Sequence, residues 1–600
     1  MILSASGWRK VFAETGNEND STDKIGKENE LLCALAGETF AGFIKEKTKK
    51  SRPVVALAKD TRPTGKLISE ILIKALFYSG IKVLYAGTAS APEIMAWAKK
   101  ADGFVYVSAS HNPIGHNGIK FGLNDGGVLD GESAKKLIKD FESRLCAMNA
   151  ETHAQEMLSV DEKKIQKILN SREENKKDAL ESYSQFLTKV ITGLDSPKKQ
   201  EEILSRIKYA LKQEKLGVAC DMNGSARCVS IDRDFLENLS LDFETFNDRE
   251  GKIAHEIIPE PENLVHVAAK LSELQAEGKS EYTLGYMPDC DGDRGNTVWW
   301  DSDEKKAKII TAQQVFALCV MSELAYQTWL YGGSFFERRK LKKLAVCVNC
   351  PTSMRIDEIA DAFKAKVFRA EVGEANVVNL AREKRKKGFL VRILGEGSNG
   401  GNITYPSSVR DPLSTILAII KLLTLRDTIE KNGSIKKGLF HIWCEKSGQE
   451  KSYKSNFTLS DILKTLPVYT TTGVSESRAV LKVNCTDMGK LKLRFQKFFE
   501  EEWKNRRSEF SQKYGIESWD CCTTNGTKEI KGATDWSNGR GGLKVRFFDS
   551  KKNPAAFIWM RPSGTESVFR IMCDVKGEKP QTEQRLLEWE TSLLKKADSF

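Results

Sequence analysis

The chain lacks an apolar run long enough to cross a bilayer. Its most apolar segment, Ile416 to Leu425, is broken by Lys421 and falls well short of the roughly 18 to 20 residues that a span needs. Met1 opens a stretch reading I-L-S-A-S-G-W-R-K, with neither the apolar h-region nor the small-residue cleavage site of an export signal. A cytoplasmic location without membrane contact is therefore expected. A disulfide framework is missing as well: the 13 cysteines are odd in number and unpatterned in spacing, which suits reduced thiols. Cys347-x-x-Cys350 has no second CxxC to complete a zinc site, and it lies on a run, Ala345 to Val348, that reads as a buried strand. Those two thiols read as structural.

What is present is an ordinary soluble composition, 40% apolar and 29% charged over 600 residues, enough for several domains of about 150 residues each. The net charge of +11 is spread thinly, so it points to mild attraction for anionic small molecules and not to nucleic acid.

The richest stretch is Val107 to Phe121, V-S-A-S-H-N-P-I-G-H-N-G-I-K-F, directly after the apolar run Phe104 to Val107. A β-branched and aromatic run ending in a polar loop puts Ser110 at the carboxyl end of a strand, where open α/β sheets place ligands. Ser110 is a nucleophile candidate, with His111 and Lys120 as proton carriers; the bland alternative is a simple β to α connection. Upstream, Val54 to Ala58 reads as a strand, and Asp60 and Arg62 just beyond it are expected to pair and brace the neighbouring loops. From Asp161 to Lys215 the chain is rich in Lys and Glu at helical spacing; it reads as a solvated face or linker without chemistry, tolerant of change.

Further on, Gly217 to Asp221 opens another βα unit, and Val265 to Glu277 reads as a helix. Asp289 to Asn296, D-C-D-G-D-R-G-N, sets Asp289, Asp291 and Asp293 at alternating positions. They can converge on one hard divalent cation if the backbone turns at the glycine, with Arg294 aimed at a phosphate. A calcium EF-hand is the competing pattern, but its closing Glu would fall on Trp300. Lys308 to Tyr326 reads as a helix. Gly395 to Asn402, G-E-G-S-N-G-G-N, offers close backbone approach and, in Glu396, an acceptor suited to sugar hydroxyls; a flexible turn would look the same. Finally Arg561 to Ser567, R-P-S-G-T-E-S, gathers Arg561, Ser563, Gly564 and Thr565 into an anion nest to which Arg570 adds a second guanidinium.

Taken together these loops resemble those of the α-D-phosphohexomutases. S-A-S-H-N-P is similar to the family's phosphoserine loop, D-C-D-G-D-R to its metal loop, G-E-G-S-N-G-G to its sugar loop and R-P-S-G-T-E to its phosphate loop; S-A-S-G-W-R, ending in Arg9, is similar to its N-terminal G-T-S-G-W-R. Val372 to Val377 and Arg410-Asp411 resemble the archaeal phosphoglucosamine and phosphomannomutase branch. The departures are Ala5, Cys290, Asn399 and Ser567.

The resemblance implies three α/β domains with mixed sheets, at 1–200, 201–305 and 306–450, and a smaller α+β, TBP-like domain at 451–600, around a central cleft. It implies a phosphohexomutase interconverting hexose 1- and 6-phosphates through phosphorylated Ser110 and a bisphosphorylated sugar. Mg²⁺ would be held by Asp289, Asp291, Asp293 and Ser110, and a hexose 1,6-bisphosphate would act as activator. Arg9 would face the active site, Arg294 a substrate phosphate, and Glu396 with Ser398 the sugar hydroxyls. Lys120 is the first choice for proton transfer, on the expectation that Arg294 depresses its pKa, and His111 the second. The partner is a phosphosugar, with a monomer or homodimer expected. The alternatives are phosphoglucosamine mutase chemistry, a serine-dependent phosphohydrolase and a catalytically silent sugar-phosphate binder.

Overall fold

A computed structural model describes residues 1–333, 339–397, 400–430, 432–539, 541–563 and 568–599. The chain divides into two compact units: Met1–Thr311 with Ile403–Ile420, and Ala312–Asn402 with Lys421–Phe600.

The first unit contains two five-stranded mixed sheets. In one, Val54–Lys59 lies between Lys82–Thr88 and Gly103–Val107 and runs parallel to both, as β-α-β chain order demands. His116–Leu123 then turns back antiparallel against Gly103–Val107, and Trp8–Val11 closes the edge. The second sheet repeats the plan. Gly217–Asp221 runs parallel to Asp242–Phe246 and Tyr282–Pro288, after which Gly295–Asp301 and Lys306–Ile309 return antiparallel. In each sheet a polar loop joins the last parallel strand to the first antiparallel one. The Ser110 loop and the Asp289 loop are these two connections.

Two expectations need correction. Lys306–Ile309 is an edge strand and the helix begins only at Ala312, because the strand bends back to pair with Val298 to Asp301. The Lys/Glu-rich stretch is not a solvated linker either. Helix Arg172–Thr192 buries Ala179, Tyr183, Leu187, Val190 and Ile191, and Ala179 packs with Trp97, Tyr106 and Val409. Its charges occupy the outer face while small, aliphatic and aromatic residues between them make the inner one.

In the second unit, Leu344–Asn349 runs parallel to Lys366–Ala370 and Leu390–Gly395. Cys347 and Cys350 are buried there, their thiols pushed up by burial to about 12 and about 11. Beyond residue 450 the strands Ser518–Asn525, Gly542–Phe548, Pro554–Pro562 and Val568–Lys576 form an antiparallel sheet. Helices Met488–Tyr514 and Pro580–Asp598 cover its Leu543, Val545 and Phe547 face. On the opposite face Lys544 is 1% exposed, lies 3.8 Å from the Phe557 ring centre, and has no hydrogen-bond partner for Nζ among the described residues.

Candidate active site

Ser110 follows strand Gly103–Val107 in a left-handed conformation, φ 55°, an unusual state for a residue with a side chain. The surrounding bonds impose it. Its N–H donates to Ser108 Oγ at 2.8 Å, and Arg62, behind the loop, donates to the carbonyls of Ser110, Asn112, Pro113 and His116 at 2.7, 2.5, 2.6 and 3.2 Å. Arg62 in turn lies 3.3 Å from Asp60, both fully buried. A planar guanidinium can serve several converging carbonyls at once, which a lysine cannot.

The strain aims Ser110 Oγ at the second loop, where it donates to Asp289 Oδ2 at 2.7 Å. Ser108 Oγ and Lys120 Nζ both reach Asp291 Oδ2, at 3.0 and 2.5 Å. Lys120 faces the site because it is paired with Tyr106 across strands Gly103–Val107 and His116–Leu123. Asp293 accepts from Arg410 Nη2 at 3.1 Å. Arg294 Nε is 4.0 Å from Asp289, and the Arg294 backbone N–H donates to Asp289 Oδ1.

The three aspartates are 1%, 0% and 4% exposed, and one carboxylate oxygen from each lies within 4.8 Å of the others, the only such acidic group found among the described residues. Burial and the charges of Asp291 and Asp293 drive Asp289 well above the usual carboxylate range. Asp291 Oδ1 is buried and accepts no hydrogen bond from the described residues. Converging hard oxygens whose mutual repulsion a cation relieves fit Mg²⁺.

The proton carriers differ from expectation. Burial opposes the charge on Lys120, but Asp291 and Asp293 outweigh it and hold the ammonium above its ordinary value. Arg294 acts instead on His111, which it, burial, Arg9 and Arg410 push well below the usual range. His111 is a neutral imidazole whose Nδ1 has no hydrogen-bond partner among the described residues. Arg9, on strand Trp8–Val11, is lowered by burial and by Arg294 while Asp291 pulls the other way.

In the second unit, Glu396 follows strand Leu390–Gly395 and is 5% exposed. Its Oε1 accepts from Asn349 Nδ2 at 3.0 Å and Gly373 N at 2.7 Å. Arg561 and Arg570 stand opposite one another across an antiparallel pair. Like charges there repel unless an anion intervenes. Arg561 Nε approaches Glu371 at 3.1 Å, off the line of a hydrogen bond, so the contact is an ion pair. Ser563 N donates to Val568 O at 2.7 Å, closing the loop's base. Ser398, Gly564 and Thr565 lie outside the described residues.

Sequence reasoning gave Ser108, Tyr183 and Arg227 no role and noted Arg410 only within a motif. The signal for Ser108 was its place in S-A-S, two residues before the nucleophile. For Tyr183 and Arg227 there was none, because their partners come from distant parts of the chain.

Residues 9–145 match the model for phosphoglucomutase/phosphomannomutase α/β/α domain I, and residues 327–440 match that for domain III. These two matches support the α-D-phosphohexomutase superfamily. Phosphoglucosamine mutase of Lacticaseibacillus casei is 39% identical over 130 residues, 21% of this chain and 28% of that enzyme. That of Exiguobacterium sibiricum is 38% identical over 101 residues, 16% and 22%. The matched stretch thus spans about a quarter of these curated relatives. In fold, the open form of Paramecium parafusin, a phosphoglucomutase, superimposes with TM-score 0.62 at 15% identity over 100% of this chain and 95% of that one. A phosphoglucomutase/phosphomannomutase family protein from Burkholderia thailandensis gives 0.59 at 16% identity over 99% and 98%.

Proposed function

We propose that the protein is a phosphohexomutase that interconverts hexose 1-phosphate and hexose 6-phosphate, of phosphomannomutase or phosphoglucomutase type, through phosphorylated Ser110 and a bisphosphorylated sugar. The observation that carries this reading is the 2.7 Å contact of Ser110 Oγ with Asp289 inside the aspartate cluster. A serine beside a cation site is suited to carrying a phosphoryl group. Mg²⁺ held by Asp289, Asp291 and Asp293, with an oxygen of Ser110, would supply charge neutralisation for the phosphoryl oxygens.

In the transfer, the Ser110 O–P bond breaks as a sugar hydroxyl oxygen bonds to phosphorus. The hydroxyl proton needs an acceptor and the departing Ser110 oxygen a donor. His111, neutral, takes the first role; Lys120, held charged beside Asp291, takes the second, setting positive charge against the phosphoryl group until it gives its proton to the Ser110 oxygen. In the second half the sugar's other phosphate returns to Ser110 and both residues revert. Glu396 and Ser398 read sugar hydroxyls, while Arg561, Ser563, Gly564, Thr565 and Arg570 hold a sugar phosphate. Arg9 and Arg294 supply further positive charge to the phosphoryl group, and Asp60 with Arg62 supports the Ser110 loop. The four-domain division at 200, 305 and 450 accompanies this reading.

Phosphoglucosamine is the second substrate reading, favoured by the 38 and 39% identities to phosphoglucosamine mutases. Intact-mass spectrometry before and after incubation with glucose 1,6-bisphosphate tests the mechanism. Wild type is expected to gain one phosphate that Ser110→Ala does not. No phosphate on wild type would eliminate the mutase and leave the silent sugar-phosphate binder. Coupled assays with glucose, mannose and glucosamine phosphates then assign the substrate.

A further inference from the structure

Behind the aspartate loop lies a buried polar network that the reaction itself does not use. Tyr183, on helix Arg172–Thr192, donates its hydroxyl to Asp411 Oδ2 at 2.7 Å and accepts from Arg227 Nη1 at 2.9 Å. Asp411 also takes Leu413 N at 2.9 Å, fixing the start of helix Pro412–Thr424. Arg227 Nε and Nη2 donate to Asp232 Oδ1 at 3.0 and 2.9 Å, and Tyr286 OH donates to the same oxygen at 2.6 Å. Arg227, Tyr183 and Tyr286 are each 1% exposed or less.

This network meets the aspartate loop at two points. Arg410, the residue before Asp411, donates to both oxygens of Asp293, at 3.3 and 3.1 Å. Arg227 lies directly beneath the turn: a Cβ at Gly292, whose φ is +67°, would come within 2.4 Å of Arg227 Cδ. Next to Arg227, Ala226 N donates to Cys290 O at 2.9 Å. The spacing of Asp291 and Asp293 is therefore fixed from behind by Arg227 and from the side by Arg410. The Tyr183 hydroxyl joins the two supports, beside a longer direct contact of Arg227 Nη1 with Asp411 Oδ1 at 3.4 Å. Buried hydrogen-bond networks rigidify the groups they satisfy; here Asp232 Oδ1 accepts three bonds, while Asp232 Oδ2 has only an ion-pair contact with Arg227 Nε at 2.9 Å.

We propose that Tyr183 is a positioning residue for the cation site, setting Asp293 through Asp411 and Arg410 and the turn at Gly292 through Arg227. It touches neither metal nor sugar. The inference rests on the aspartates being a metal site, not on the mutase reaction. Removing the hydroxyl leaves Asp411 Oδ2 without its phenol donor and loosens both supports, while the ring keeps its packing.

The test is Mn²⁺ titration of the unphosphorylated full-length protein, followed by the EPR signal of free Mn²⁺, at a temperature where circular dichroism shows each variant folded. Tyr183→Phe is expected to weaken Mn²⁺ binding about tenfold, the equivalent of about 1.4 kcal/mol, and Asp411→Asn by a similar factor. Glu181→Gln, on the exposed face of the same helix, should bind like wild type. A purely structural role would lower the melting temperature and leave the affinity of the folded protein unchanged. Affinity within twofold of wild type in folded Tyr183→Phe overturns the proposal. If that variant does not fold, the same result in Asp411→Asn does so. Wild type that takes up no Mn²⁺ also overturns it. Because no sugar is present, failure of the mutase reading shows separately, as Mn²⁺ binding without phosphate on Ser110.

Discussion

At the scale of single residues, charge and burial decide more than residue type. Lys544 and Lys120 are both buried lysines, yet their environments act oppositely. Lys120 has Asp291, whereas Lys544 has no acceptor among the described residues, and burial with Arg369 nearby lowers it to about 8. Since its unfolded value is 10.5, the unfolded chain binds more protons between these values, so stability rises as pH climbs from about 8 to about 10.5. Below pH 8 the full penalty applies, on the order of 3 kcal/mol at 1.36 kcal/mol per pK unit. Lys544→Met is expected to raise the neutral-pH melting temperature and flatten that alkaline rise, as denaturant melts at pH 7 and pH 10 would show. Ser110 and the three aspartates were legible as residues because their spacing is local. The direction of the Lys120 shift was not, since it depends on which of Asp291 and Arg294 lies nearer, a three-dimensional fact. The four bonds of Arg62 were equally hidden: sequence shows that a guanidinium follows Asp60, not where its five donors go.

At the scale of elements, alternation of apolar runs with helical patterns located most of the strands it named to within a residue or two, Gly217–Asp221 among them, and left others, such as His116–Leu123 and Gly295–Asp301, unnamed. Errors fell where an element's partner was out of sight. Helix Arg172–Thr192 carries enough charge to read as solvated, but its buried face, Ala179, Tyr183, Leu187, Val190 and Ile191, is interleaved with those charges. Ala179→Asp is expected to cost more than about 3 kcal/mol by burying an unpaired carboxylate, whereas Lys177→Ala on the outer face should change stability by less than about 0.5 kcal/mol. Thermal melts of the two variants check the assignment of faces. The edge strand Lys306–Ile309 was missed for a related reason: only four residues long, it exists by pairing with Val298 to Asp301.

At the scale of the whole molecule, ligand binding should register unevenly. A cation that binds the folded aspartate loop stabilises that state by RT ln(1 + [L]/Kd). Hydrogen exchange with 5 to 10 mM Mg²⁺ added is therefore expected to slow in the Ser110 loop, the Asp289 loop and the amides around Arg410. Strand Gly542–Phe548 of the second unit should exchange at an unchanged rate. Equal slowing throughout would assign the metal effect to global stability.

The return of Ile403–Ile420 to the first unit has a consequence during synthesis. When Thr311 has left the ribosome, Asp293, Tyr183 and Arg227 are all made, but Arg410 and Asp411 are not. The intervening stretch of about 90 residues takes on the order of 5 to 20 s at typical elongation rates. Throughout that interval the nascent first unit holds the aspartates, with their repulsion, without the arginine and aspartate that later lock them. The metal loop is thus among the last parts of its unit to become complete, although its own residues emerge early.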